Sequence, residues 1–125
     1  MIFRVNTYDI DVAGHLNNIV YIRWLEDLRI KHFSKLCDLK KLLANNYYLF
    51  VVSSEMKYKL QIKLFDKPVG CVSIERTSHG IIDFKYEIKV EGQTAFTAMQ
   101  RCTLVNLDNN KMYSGNLDSF ISKLK

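Results

Sequence analysis

Residues 9–18, Asp-Ile-Asp-Val-Ala-Gly-His-Leu-Asn-Asn, hold the densest set of reactive and hydrogen-bonding side chains in the chain. Two carboxylates, a glycine, a histidine and two asparagines stand between an expected strand, residues 2–8, and an expected helix, residues 19–36. At such a junction the first N–H groups of the helix lack intrahelical partners and point outward. A carboxylate beside them has the chemistry to attack a carbonyl or to activate water, while the donors take up the oxyanion charge. Asp9 and Asp11 are alternate residues, so in extended backbone they face opposite sides and only one serves a given pocket. Asp11, three residues before Gly14 and close to the helix start, is the candidate acid. Asp9 reads as a loop former that bonds its own backbone.

The neighbours of Asp11 have definable roles. Gly14 supplies a positive φ or a close backbone approach. His15 reads either as an acid–base or ligand-orienting group or as a histidine hydrogen-bonded at a helix entry. Asn17 or Asn18 is the expected N-cap, its amide oxygen bonding an orphan N–H of the first turn. Asp9, Asp11 and His15 lack further His or Cys nearby, so no metal site is read here, and no cofactor is expected. No Gly-x-Ser-x-Gly elbow, phosphate loop or Gly-x-Gly-x-x-Gly run occurs.

The elements that must position this run follow from periodicity. In the helix, Ile19, Val20, Ile22, Trp24, Leu25, Leu28, Ile30, Phe33 and Leu36 form a wide apolar arc, and Arg23, Glu26, Asp27, Lys31, Ser34 and Lys35 a narrower polar stripe. An arc that wide predicts a helix covered on most sides. Residues 38–46 read as a second short helical or turn segment. Residues 48–54, 55–64, 69–77, 81–90 and 94–107 read as strand, separated by Phe65-Asp66-Lys67-Pro68, Ser78-His79-Gly80 and Glu91-Gly92-Gln93. Asp108 to Lys111 form a turn, and residues 116–124 a short helix capped by Asn116 or Asp118. Tight connections make the later strands antiparallel, and the long helix is the available cover for their apolar face. The expected class is α+β, one domain over residues 1–125, with a sheet curled around a central helix.

Composition narrows the rest. Hydrophobic residues make up 48% of 125, enough for one core. A formal charge of +5 suits either simple solubility or an anionic partner, and it is dispersed rather than gathered into a binding tail. No nucleic-acid-binding signature is present. Three cysteines, Cys37, Cys71 and Cys102, without a Cys-x-x-Cys pair, read as reduced thiols of a cytoplasmic protein. No membrane span and no secretory signal are expected.

At this loop and helix the chain resembles the hotdog-fold acyl-CoA thioesterases of the 4-hydroxybenzoyl-CoA thioesterase type. The residues that carry the resemblance are Asp9, Asp11, Gly14, His15, Asn17, Asn18, Tyr21, Leu25, Glu26, Asp27 and Arg29. Further on, Tyr58 and Asp66 match the family pattern, whereas Gln61 and Phe65 stand where the family carries Pro and Gly. The resemblance implies a five-stranded antiparallel sheet around one long helix, dimerising edge to edge and often forming tetramers, with active sites at the dimer interface. It implies Asp11 as nucleophile or general base, and backbone N–H groups around Asn17 and Asn18 polarising the thioester carbonyl. Gly14, His15 and Tyr21 complete the implied substrate-binding set.

The function expected is therefore hydrolysis of an acyl-CoA or acyl-carrier-protein thioester. A hotdog hydratase or dehydratase stands behind it, because the spacing from Asp11 to His15 is one residue short for that pair. A non-catalytic acyl-CoA-binding protein is the third reading, distinguished by tight CoA binding without thiol release.

Overall fold

The computed structural model describes residues 1–124. Three helices, α1 (Asn18–Phe33), α2 (Leu39–Ala44) and α3 (Leu117–Lys123), accompany four strands, β1 (Tyr47–Tyr58), β2 (Val69–Ser78), β3 (Ile81–Val90) and β4 (Gln93–Asn106). The strands form one antiparallel sheet in the order β1-β4-β3-β2. Alternation within β3 shows why. Ile82, Phe84, Tyr86 and Ile88 are buried beneath α1, while Lys85 and Lys89 on the other face stay in water. Both hairpin turns place two successive residues at positive φ, His79–Gly80 and Glu91–Gly92. That geometry matches the twist of paired strands.

Helix α1 lies on the inner face of this sheet. Asn17 is its N-cap, its side chain accepting from the Ile19 N–H at 3.2 Å. Val20, Tyr21, Trp24, Leu25, Leu28 and Phe33 enter the core, each large side chain contributing about 1.5–3 kcal/mol by leaving water. Gly70 lets helix and sheet approach: a Cβ there would fall 2.5 Å from the Phe3 ring and 2.9 Å from Leu28 Cδ1. The arc is less covered than its width implies, because Ile19 and Ile22 remain about half exposed.

Three expectations are corrected. The sheet has four strands, not five, because residues 2–8 pair only through a single bridge, Ile2 to Val69. Phe3 N–H donates to the Pro68 carbonyl at 2.9 Å, but proline has no N–H to return. The chain then turns into a 3-10 helix at Thr7–Asp9, and Phe3 instead stacks on Trp24 with ring centroids 4.5 Å apart. The expected strand over residues 55–64 stops at Tyr58; beyond it Lys59 and Leu60 both donate to the Ala95 carbonyl, which bends the chain off the ladder. Finally, α1 is shorter than residues 19–36. It ends at Phe33, and it lies against one face of the sheet rather than being wrapped by it.

The remaining boundaries follow the pattern closely. Asp38 caps α2 by accepting from Lys41 N–H at 2.7 Å, and Asn116 caps α3 by accepting from Ser119 N–H at 2.8 Å. Among the described residues, no helix is long and apolar enough to cross a membrane.

Candidate active site

The run from Asp9 to Asn18 folds into a small hairpin that delivers the chain to the start of α1. Ile10 and Leu16 form an antiparallel bridge, with Asp11 N–H donating to the His15 carbonyl at 2.9 Å and Asn17 N–H to the Asp9 carbonyl at 2.8 Å. Gly14 closes the turn at φ 81°, a conformation that a Cβ disfavours. Leu16 N–H reaches across to the Ile62 carbonyl at 2.9 Å, pinning the hairpin to the segment that leaves β1.

The two aspartates differ in burial, although Asp9 lies in the 3-10 turn and not in the extended backbone that the alternation assumes. Asp9 is buried, and its Oδ2 accepts from the Asn6 N–H at 2.9 Å and the Asn6 amide at 3.2 Å. It is structure. Asp11 is exposed, and its Oδ1 accepts from Ala13 N–H at 2.9 Å and His15 N–H at 3.2 Å. Its Oδ2 has no partner among the described residues.

Asp11, His15, Asn18 and Tyr21 come together around one open cleft of about 340 Å³. Gly14 and Asn17 do not line it; they shape the turn and cap the helix. The backbone amides separate further. Asn17 N–H is bonded to Asp9, and Ile19 N–H to the Asn17 side chain. Asn18 N–H, the first of the helix, has no acceptor among the described residues, and a donor there is favourably placed for developing negative charge. Of the Asn17, Asn18 and Ile19 amides, Asn18 N–H alone is left without an acceptor among the described residues.

Tyr21 is buried against Phe96, ring centroids 4.6 Å apart, and meets Tyr58 edge-on at 5.0 Å. Burial, and then the neighbouring Tyr58, push its phenol up to about 12 against the pull of the Ile62 backbone, so it stays protonated near neutral pH. The cleft's opposite wall, Tyr58, Lys59, Leu60 and Gln61, lies outside the candidate set that the sequence suggests. These residues stand some forty positions down the chain, and the aromatic at Tyr58 and the cationic strand face that includes Lys59 are their sequence signals. Among the described residues, no cluster of three or more His, Cys, Asp and Glu side chains is placed to hold a metal ion.

Sheet, helix and hairpin together define an α+β domain whose polar cleft opens at a helix N-terminus. Residues 5–116 match the thioesterase-like superfamily, and the chain belongs to it. The fold is shared with solved thioesterases. DHNA-CoA thioesterase from Staphylococcus aureus superposes with a TM-score of 0.87 at 22% identity, covering 98% of this chain and 83% of that one. A thioesterase from Thermus thermophilus, complexed with coenzyme A and zinc, gives 0.82 at 19% identity over 98% and 93%. The probable thioesterase YbaW from Escherichia coli gives 0.81 at 21% over 99% and 93%. The sequence matches no curated protein.

Proposed function

We propose that this protein hydrolyses acyl-CoA thioesters, with Asp11 as the reacting acid. The observation that carries the reading is the pairing of an open carboxylate oxygen on Asp11 with an unpartnered Asn18 N–H in one cleft. Membership of the superfamily supports thioester hydrolysis, and the 4-hydroxybenzoyl-CoA type is the pattern that residues 9–29 resemble. The Thermus thermophilus relative holds coenzyme A, which favours CoA over a carrier protein as the thiol half.

As general base, Asp11 takes a proton from water, and the resulting hydroxide attacks the thioester carbonyl. The oxyanion accepts a hydrogen bond from Asn18 N–H. Collapse breaks the C–S bond, and the CoA thiolate recovers the proton from Asp11. As nucleophile, the Asp11 carboxylate attacks the thioester carbonyl, expels the CoA thiolate and forms a mixed anhydride, which water then opens at the Asp11 carboxyl carbon, leaving one Asp11 oxygen on the product acid and a water oxygen on Asp11. Single turnover in heavy-oxygen water separates these routes, because only the second transfers an Asp11 oxygen to the product.

A second copy of the chain is the proposed partner. β1 is a sheet edge of 12 residues whose outer backbone groups are unpaired by the sheet, and Phe50, Val51 and Val52 on it are exposed. A long apolar edge of this kind calls for cover.

The test is thiol release from a panel of acyl-CoAs by purified protein, alongside Asp11→Asn. Turnover in wild type and loss in the variant is the expected result. Tight CoA binding with no thiol release would instead identify a binding protein.

A further inference from the structure

One free amide is thin support for an oxyanion. At the helix start the Asn17 and Ile19 amides are bonded within the fold, which leaves Asn18 N–H. Sites for acyl transfer aim more than one donor at the oxygen that gains charge. The side chains of His15, Asn18, Tyr21, Tyr58, Lys59 and Gln61 line the cleft, and each carries a hydrogen suited to a second bond. Asn18, Tyr58, Lys59 and Gln61 are exposed and His15 is half-buried, so holding any of them at one point costs side-chain entropy. Tyr58 also turns its hydroxyl to Met56 Sδ at 3.7 Å. Tyr21 differs from all of these, with an exposure of 3%.

Three aromatic neighbours fix the Tyr21 ring. Its centroid lies 4.6 Å from that of Phe96, and Tyr58 and Trp24 meet it edge-on at 5.0 and 6.2 Å. Asn18 and Tyr21 are three residues apart, so they share a face of α1, and helical side chains lean toward the N-terminus. The ring therefore leans over the turn that Asn18 opens. The backbone at Ile62 ties the phenol to the same place. The Ile62 carbonyl accepts from Leu16 N–H at 2.9 Å, two residues before Asn18. Burial raises the Tyr21 phenol to about 12, and the Ile62 backbone pulls it down, the direction that an N–H facing the oxygen produces. The hydroxyl's own hydrogen has no acceptor among the described residues, and the cleft is the open space beside it.

We infer that the Tyr21 hydroxyl is a catalytic donor that, together with Asn18 N–H, holds the thioester oxygen as it gains negative charge. This rests on the thioesterase reading of the cleft, which places Tyr21 only among the residues that bind substrate. The hydroxyl donates a hydrogen bond and transfers no proton, so the balance of either Asp11 route is unchanged. A donor held by buried rings is aimed before the carbonyl becomes tetrahedral and need not reorganise during the reaction. Beside the apolar Phe96 ring, a hydrogen bond to a charged oxygen is worth more than in water. The same bond to the neutral carbonyl of the bound ester is weaker, so the gain falls mainly on the transition state.

Tyr21→Phe removes one oxygen and keeps the ring against Phe96 and Tyr58. With the acyl-CoA that the wild-type protein hydrolyses fastest, kcat is expected to fall about a hundredfold, with KM and the urea midpoint close to wild type. A folded variant with wild-type kcat overturns the proposal. So does a rise in KM alone, which places the hydroxyl in ground-state binding. A variant that fails to fold also overturns it, because the hydroxyl is then committed to the structure. A second readout follows the carbonyl itself. An acyl-CoA analogue with a methylene in place of the thioester sulfur keeps the C=O group and resists hydrolysis, and its stretch is read by infrared difference spectroscopy. The band is expected at lower frequency on wild type than on Tyr21→Phe; equal bands overturn the proposal even where kcat falls. Should wild type turn over no acyl-CoA, a band that still moves with Tyr21 supports the donor and removes the hydrolase reading. No turnover, with no bound analogue or with equal bands, removes both.

Discussion

The turn that ends at Asp9 and the hairpin that begins at Asp11 use the same side chain, two residues apart, for opposite ends. Asp9 turns inward, and its bonded carboxylate oxygen closes the 3-10 turn on Asn6. Asp11 turns outward, holds the hairpin with one oxygen, and leaves the other facing a cleft. Each carboxylate is held through one oxygen, so burial makes the difference: a carboxylate shut away from solvent stabilises a fold and has nothing to offer a substrate. One held at an open cleft still has a lone pair to give. Asp9 ends the 3-10 turn and Asp11 opens the hairpin, so the two carboxylates leave different local structures.

Substitutions that remove one role at a time test this contrast. Asp11→Asn keeps an amide oxygen for the Ala13 and His15 N–H groups but loses the base. Acyl-CoA turnover is expected to fall about a hundred- to ten-thousand-fold, with the denaturation midpoint nearly unchanged. A variant with wild-type turnover would take Asp11 out of the chemistry. Asp9→Ala leaves the Asn6 N–H without its acceptor and should cost about 1–3 kcal/mol in urea denaturation. Should Asp9→Ala abolish turnover at full stability, the two roles would have to be exchanged.

Smaller effects sharpen the hairpin's part. Gly14→Ala meets no atom within 4 Å, so its expected cost, about 1–2 kcal/mol, comes from the positive φ alone. Measuring thermal stability beside KM would show whether the hairpin still presents Asp11. Asn17→Ala removes the cap and should cost about 1 kcal/mol. Because the Asn17 side chain does not line the cleft, its turnover should track the folded fraction. A disproportionate loss would mean that the cap also aims the Asn18 N–H.

Much of this is legible along the chain. The alternation in residues 81–90 sets the strand bounds, since a two-residue period with charged alternates has one stable burial. Asn17, Asp38 and Asn116 stand at the starts of their helices, as short polar side chains that can bond orphan N–H groups do. The first strand is not legible in this way. Residues 2–8 carry strand-like types, while the residue that interrupts their pairing, Pro68, lies some sixty positions away. Likewise Lys59 and Leu60 continue the alternation of β1, yet both bond the Ala95 carbonyl on β4 and leave the ladder.

By itself, the amino-acid order determined the antiparallel α+β class, the helix that covers the sheet, and the caps at which the helices begin. Each follows from local period, cap chemistry or side-chain alternation, which act over a few residues. Tertiary structure alone decided which amide stays free at the helix start, because the partners of Asn17 and Ile19 depend on the hairpin's closure. It also decided the cleft's far wall at residues 58–61 and the burial of Arg29 over Gln100. Those meetings join residues some forty to seventy positions apart, and only the packing of helix on sheet brings them within reach.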